Sequence, residues 1–229
     1  MSKSNAAQSN EVALFQNTSP AAPPAYLQNE APRGNEQVKQ EDMAMPRLKL
    51  LQPLNPEIDA DKGINPGMLF NTITGRAIQS TYALNLHFQK EYTIFKKREL
   101  GGGFVATAKS ESEATNLVAG FPGNPSDYEI SESHRHILVL LDGEGHPTET
   151  VALFLGNVTG LYSSRAWNTE LQTLSNGKTD RFASVWKLQG TKQSNSRGTF
   201  YVLSPEFVGW APEALHSAAT VLFTAVNAS

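Results

Sequence analysis

Cationic, aromatic and glycine residues crowd one stretch of this chain. Between Tyr82 and Val105 an alternating apolar segment runs into Lys96-Lys97-Arg98 and then Gly101-Gly102-Gly103. Cations neutralise phosphates, rings stack on bases, and glycines let a ligand approach the backbone closely. The chemistry these residue types share is the binding of a flexible polyanion with stackable rings, which is single-stranded nucleic acid. In an extended strand Tyr92, Ile94, Lys96 and Arg98 share one face, with Phe95 and Lys97 on the other. The same residues also fit an edge strand that its lysines protect against aggregation.

Two further groups of cations have the same chemistry available. Lys187, Lys192 and Arg197 flank an expected hairpin around Gln193 to Gly198, near Trp186 and Tyr201, and could close over a strand of nucleic acid. Trp186 shares its strand face with Phe182, Ser184 and Leu188, which places it in the core. Arg165 follows Ser163-Ser164 at the expected start of a helix, where amides and a guanidinium could hold a phosphate; helix capping by a serine explains the same residues. His134 and His136 have the His-x-His spacing of some metal sites, with no third ligand nearby. Gly177-Lys178-Thr179 lacks the earlier glycine of a phosphate-binding loop, Gln172 standing in its place. No Ser-His-Asp arrangement, paired carboxylates or dinucleotide fingerprint can be read. The expectation is a binder and not an enzyme, with no catalytic residue, no metal and no cofactor.

The elements that must position these residues are mostly strands. Residues 46–55 form a short apolar segment, and 68–73 a strand turned by Thr74-Gly75. From Tyr82 the period is two, with Tyr82, Leu84, Leu86 and Phe88 toward the core and Ala83, Asn85 and His87 outward. Lys90-Glu91 reads as a tight connection, after which 92–98 continues as a strand. Gly101–Gly103 reads as a bulge or bend before a strand at 104–108. Residues 109–133 read as a long loop. His136 to Leu141 is a continuous apolar run suited to a buried central strand, paired through Asp142-Gly143-Glu144-Gly145 with 149–155. Residues 161–174 shift to helical spacing along Leu161, Ala166, Trp167, Leu171 and Leu174. A hairpin of 182–191 with 199–203 and a helix over 212–226 complete the chain. The fold class is therefore all-β or β-rich α+β, ordered as an OB-like Greek-key barrel with extra strands, one internal helix and one C-terminal helix.

Composition bounds the partners. Residues 1–45 are rich in Asn, Gln, Ala, Ser and Pro and read as a disordered arm, leaving 46–229 as a single β-barrel domain. The arm carries five acidic and three basic residues, so the remainder holds 17 acidic against 16 basic. Any electrostatic footprint must then be local. The absence of cysteine excludes disulfides, thiolate zinc sites and a cysteine nucleophile, and fits a reducing compartment. No apolar stretch is long enough for a membrane span, and the N-terminus has no apolar signal region.

Five stretches carry a family likeness: PRLKLLQPLNPEI from residue 46, PGMLFNTITG from 66, KEYTIFKKRELGGGFVA from 90, SSRAWNTEL from 163 and RFASVWKLQGTKQSNSRGTFY from 181. Together they resemble a family of small phage-encoded proteins associated with single-stranded DNA binding in replication or recombination. The resemblance spans most of 46–205, without the arm or the terminal helix. It implies an OB-like barrel whose basic-aromatic strands hold single-stranded DNA, with Tyr92, Lys96, Arg98, Arg165, Lys187 and Lys192 as the residues that carry it over. Many such proteins end in an acidic tail that recruits partners. This chain ends Val226-Asn227-Ala228-Ser229, so recruitment is expected through another surface, such as the arm.

The expected function is sequence-independent single-stranded DNA binding in phage replication or recombination, in the cytoplasm of an infected bacterial host. The expected site is Tyr92, Lys96, Lys97, Arg98, Arg165, Lys187, Lys192 and Arg197. The partners are DNA, replication or recombination proteins, and further copies of the chain; no membrane is involved. The alternative is a virion structural or assembly protein that uses its N-terminal arm.

Overall fold

The computed structural model describes residues 34, 36–39, 42, 44–196 and 198–227. Most of the expected arm, and Arg197, lie outside the described residues.

The chain is a β-rich α+β protein, 43% strand, built on one curled mixed sheet that forms a half-barrel carrying three helices. This agrees with the OB-like, β-rich architecture expected. The strands are β1 (Arg47–Leu50), β2 (Leu69–Asn71), β3 (Ala77–Ile78), β4 (Ser80–Lys96), β5 (Phe104–Ala108), β6 (Tyr128–Leu141), β7 (Pro147–Leu155), β8 (Ser184–Asn195) and β9 (Gly198–Trp210). The helices are α1 (Glu111–Ala119), α2 (Val158–Ser175) and α3 (Glu213–Asn227). The sheet runs β3-β2-β1-β7-β6-β4-β8-β9, with β5 added to β4. Among the described strands only the β1–β7 pair is parallel.

β4 organises the sheet. One of its edges pairs with β6 from Tyr82↔Leu141 to Lys96↔Tyr128. Its other edge serves β8 from Ser80 to Leu84 and β5 from Tyr92 to Phe95. The connection expected at Lys90-Glu91 is absent: Lys90 pairs with His134 and Glu91 with Ser133, so the ladder runs straight through.

Both sheet faces are covered, which is why HILVLL in β6 is apolar without alternation. On one face Ala83, Leu138, Leu140, Leu153, Trp186 and Leu188 pack beneath Trp167 and Leu171 of α2. On the other, Leu84, Leu86, Ile137 and Val139 pack beneath Leu215 and Ala219 of α3. Each leucine, isoleucine or valine among them contributes about 1.5–3 kcal/mol by leaving water. Ala83 and Asn85 were expected to face outward, and both are buried. A bulge between Asn85 and His87 then exchanges the faces. Phe88 consequently lies with His134 and His136 on the α2 side, and His87 meets Phe223 of α3.

The long loop expected at 109–133 is a correction too. Ser110 caps α1 by accepting from the Glu113 amide at 3.1 Å, and Ala114 and Val118 turn inward onto Ile94 and Ala108. A one-turn 3-10 helix (Pro125–Asp127) follows, and β6 begins at Tyr128. Acidic and serine residues are solvent-facing in α1, which made the segment read as loop.

The two ends of the curl meet without a backbone ladder. The Gln52 side chain donates to the Tyr201 carbonyl at 2.9 Å and accepts from the Tyr201 amide at 2.9 Å, acting as a one-residue strand on the β9 edge. Beside this closure a cleft of about 500 Å³ opens between β1, β7, β9 and the start of α2, floored by leucines that include Leu50, Leu153 and Leu203. Of its charged lining residues, Lys49 and Glu57 are paired at 2.8 Å and Arg47 lies over the Phe154 ring.

Candidate nucleic-acid interface

The expected site residues fall into three places. The first is the tip of the β4–β5 hairpin. Gly101, Gly102 and Gly103 all have positive φ, at 100°, 64° and 112°, a conformation only glycine adopts without strain. They let the chain reverse within a few residues: the Gly102 amide donates to the Lys97 carbonyl at 3.0 Å and the Lys96 amide to Gly103 at 2.9 Å. The Lys97 amide also donates to the Asp127 carbonyl at 2.9 Å, anchoring the tip to the end of the 3-10 turn. Lys96, Lys97 and Arg98 are exposed. None of them forms an ion pair with a described carboxylate. Beside them Phe95 and Phe104 are 39% and 63% exposed and meet edge to face at 6.4 Å.

One part of the expected geometry is corrected here. The face of Tyr92, Ile94, Lys96 and Arg98 is not an open groove, because Ile94 is fully buried under α1. Arg98 has left the strand for a 3-10 turn at Arg98–Leu100. The open rings at the tip are Phe95 and Phe104 instead.

The second place is a cluster around Glu132. Its carboxylate accepts from Lys90 Nζ at 2.9 Å, Arg165 Nη2 at 3.1 Å and His134 Nε2 at 3.0 Å. Tyr92 is here, half-buried, with Lys90 Nζ 5.3 Å over its ring and its side chain packed on the α1 cluster. The Lys90 hydrogen bond is the first cause that lowers the Glu132 carboxyl to about 2, with Arg165 and His134 adding to it. Arg165 does not open a helix. Asn157 caps α2 by accepting from the Gly160 amide, and Arg165 lies two turns in.

The third place is the β8–β9 hairpin. Lys187 is half-buried on the face opposite Trp186, cross-strand from Glu206, and Lys192 is exposed opposite Tyr201. Arg197 lies outside the described residues. Because β8 pairs with β4 only from Ser80 to Leu84, Lys187 lies beside Tyr82 and Lys192 beyond Ser80, at the far end of β4 from Lys96. At about 3.3 Å per residue, β4 has a path on the order of 50 Å. The expected residues therefore do not line a single trough.

A constellation that the sequence did not reveal lies under α2. Ser164 Oγ is 2.7 Å from His134 Nδ1 and 2.7 Å from His136 Nε2. His136 Nδ1 faces two donors, Asn85 Nδ2 at 3.0 Å and Arg181 Nη2 at 3.3 Å. The Asn85 orientation follows from Arg181 Nε, which donates to its Oδ1 at 2.9 Å. His136 is thus an acceptor at Nδ1 and carries its proton on Nε2. The order runs His136 Nε2–H to Ser164, Ser164 O–H to His134 Nδ1, and His134 Nε2–H to Glu132. Burial holds both histidines below their ordinary range. It also brings Arg181 down to about 10, that guanidinium lying 5.2 Å over the Phe88 ring. Glu132–His134–Ser164 has the connectivity of an activated serine, yet Ser164 is fully buried, its Oγ is engaged by both histidines, and the cleft described above is not lined by it. The pair expected as a weak metal candidate is a hydrogen-bonded clamp between β6 and α2. No group of metal-ligating side chains occurs among the described residues.

A curled, β-rich sheet with three helices and an exposed basic hairpin defines the class of protein. The chain belongs to the Pam3 phage gp34-like protein family, whose model matches residues 15–229, and it is a phage protein. The match extends back into the segment expected to be an arm, and the family description names no activity. No curated protein and no solved structure matches the chain. Among the described residues no helix is long and apolar enough to cross a membrane.

Proposed function

We propose that the chain is a non-enzymatic, phage-type single-stranded DNA-binding protein acting in replication or recombination in the infected host's cytoplasm. The observation that carries this reading is the β4–β5 tip, where three exposed cations without acidic partners among the described residues stand beside two exposed rings. Phosphates meet Lys96, Lys97 and Arg98 while bases stack on Phe95 and Phe104, a stacking contact contributing about 1–3 kcal/mol per base. Binding of this kind is sequence-independent and salt-sensitive. A fluorescent oligo-dT is expected to bind at low salt and to weaken steeply by about 200 mM salt. Changing Lys96, Lys97 and Arg98 together to Ala reduces affinity and leaves the fold intact, because none of the three side chains is buried. No binding at low salt would remove the function, and unchanged binding by the triple variant would remove the site.

A second reading, a virion structural or assembly protein, is favoured by one observation. Val208 and Trp210, on the outer strand β9, are both about half exposed, an apolar surface suited to a neighbouring subunit. Co-purification with intact particles, together with indifference to oligo-dT, would select it.

A further inference from the structure

We propose that Glu132 is a resident competitor at a phosphate subsite built by Lys90 and Arg165, so that the carboxylate lowers the chain's affinity for a nucleic-acid backbone. This inference rests on the nucleic-acid reading and extends it to a second point of contact.

Three donors from three different segments converge on one carboxylate. Lys90 comes from the middle of β4, His134 from β6 and Arg165 from α2, at 2.9, 3.0 and 3.1 Å. That is the arrangement a protein offers a phosphate: a guanidinium, an ammonium and an imidazole N–H around one group of oxygens. The charge does not balance. His134 is neutral, because its Nδ1 accepts from Ser164, and two cations therefore face one anion. The excess positive charge is reachable, since Lys90 and Arg165 side chains are 46% and 62% exposed. Each has one donor on Glu132 and further N–H groups toward water. A phosphodiester seated on those outer donors cancels the excess charge, and Glu132 repels it. Lys90 and Lys96 lie on the same strand, six residues apart, about 20 Å of path. Because α1 covers Ile94 between them, a single strand that touches both the tip and this cluster must pass around that helix.

The sign of one substitution separates this role from an ordinary ion pair. Glu132→Gln keeps a side-chain acceptor for His134 and raises the cluster by one positive charge. Oligo-dT affinity is expected to rise about threefold at low salt, and the salt slope to steepen by about 0.7, the increment of one further phosphate contact on a single strand. A structural ion pair predicts the opposite: lower stability with equal or weaker binding. Equal or weaker binding by a Glu132→Gln variant with wild-type far-ultraviolet circular dichroism overturns the proposal. Should that variant fail to fold, Arg165→Gln replaces it, at an exposed helix position. About threefold weaker binding supports the subsite, and unchanged binding overturns it. Failure of the parent reading looks different, because wild type then ignores oligo-dT or the tip variant binds as wild type does. In that event inorganic phosphate titrated into the full chain decides the matter through the Lys90 Nζ and Arg165 Nε resonances. Shifts at those two groups support an anion subsite, and flat resonances overturn it.

Discussion

Ser164 has one hydroxyl proton and two histidine neighbours, and that arithmetic makes it the residue on which the polar interior turns. Replacing it by Ala strands the His136 Nε2–H and leaves His134 Nδ1 without a donor, both of them buried. At about 1–3 kcal/mol for each of the two unsatisfied groups, Ser164→Ala is expected to lose about 2–6 kcal/mol in urea denaturation. A loss below about 1 kcal/mol would mean that water or relaxation replaces the hydroxyl. The histidines add a pH dependence. Asn85, Phe88, Trp167, Arg181 and His134 surround His136, while Glu132, Phe88, Ser164, Lys90 and Arg165 surround His134. Both have folded values below the unfolded one. The unfolded chain therefore binds more protons, and stability falls as pH drops below about 6.5. The slope reaches about 1.4 kcal/mol per pH unit for each histidine. Glu132 contributes in a lower window, its stabilisation being lost as pH falls from the ordinary carboxylate value of 4.5 to about 2. A flat stability profile between pH 7 and pH 5 would contradict neutral, clamped histidines. In the sequence the same-face spacing of His134 and His136 was legible. Their partner was not, because Ser164 looked like a cap. The available signal was its position three residues before Trp167 and seven before Leu171, on the inward stripe of α2.

Helix α1 has only a small cluster to hold it, made of Ile94, Ala108, Ala114 and Val118, with Tyr92, Phe121 and Ile130 at its edge. Ile94→Ala removes the largest fully buried side chain there and is expected to cost about 2–4 kcal/mol. The loss should be local. Faster amide exchange is expected in α1 and the β4–β5 hairpin, with β6–β7 protected as before. Uniform loss of protection would show that the distal end is part of one cooperative unit. The proposed binding tip depends on this cluster, because among the described residues β5 pairs only with β4 and α1 packs across both. Long strands, the β6–β7 and β8–β9 hairpins and the last two helices were legible from period and turn chemistry. α1 was not, although Ser110 and Glu113 have the Ser-x-x-Glu spacing of a helix start. The bulge after Asn85 has no local signature either: only the demand that Asn85 and Phe88 both face His136 explains it. A continuous period of two hid the change of face.

Sheet closure is a property of the whole chain, made by residues about 150 positions apart in sequence, which is why no local pattern announces it. Gln52 holds the Tyr201 backbone from one side, and a few residues away β8 comes against the turn before β2. There a Cβ on Gly190 would lie 2.2 Å from the Gly67 carbonyl oxygen and 2.7 Å from Leu50 Cδ1. The nearer obstacle is backbone, so it cannot turn aside as a side chain would. Gly67 is equally confined, a Cβ there falling 2.4 Å from the Tyr201 ring, and its φ of 90° already excludes most residues. Gly190→Ala must therefore push the β1–β2 end away from β8–β9, which breaks the Gln52–Tyr201 bonds as well. The expected loss is about 3 kcal/mol or more, beyond the usual cost of overpacking because two contacts fail together. Gln52→Ala removes only the bridge and should lose about 1–3 kcal/mol, leaving the Tyr201 amide and carbonyl unpaired. Since both substitutions act on one closure, their effects should not add: the double variant is expected to be little worse than Gly190→Ala alone. Additive losses in denaturant titrations would mean that glycine contact and glutamine bridge are independent, and that the half-barrel is held shut at two separate seams.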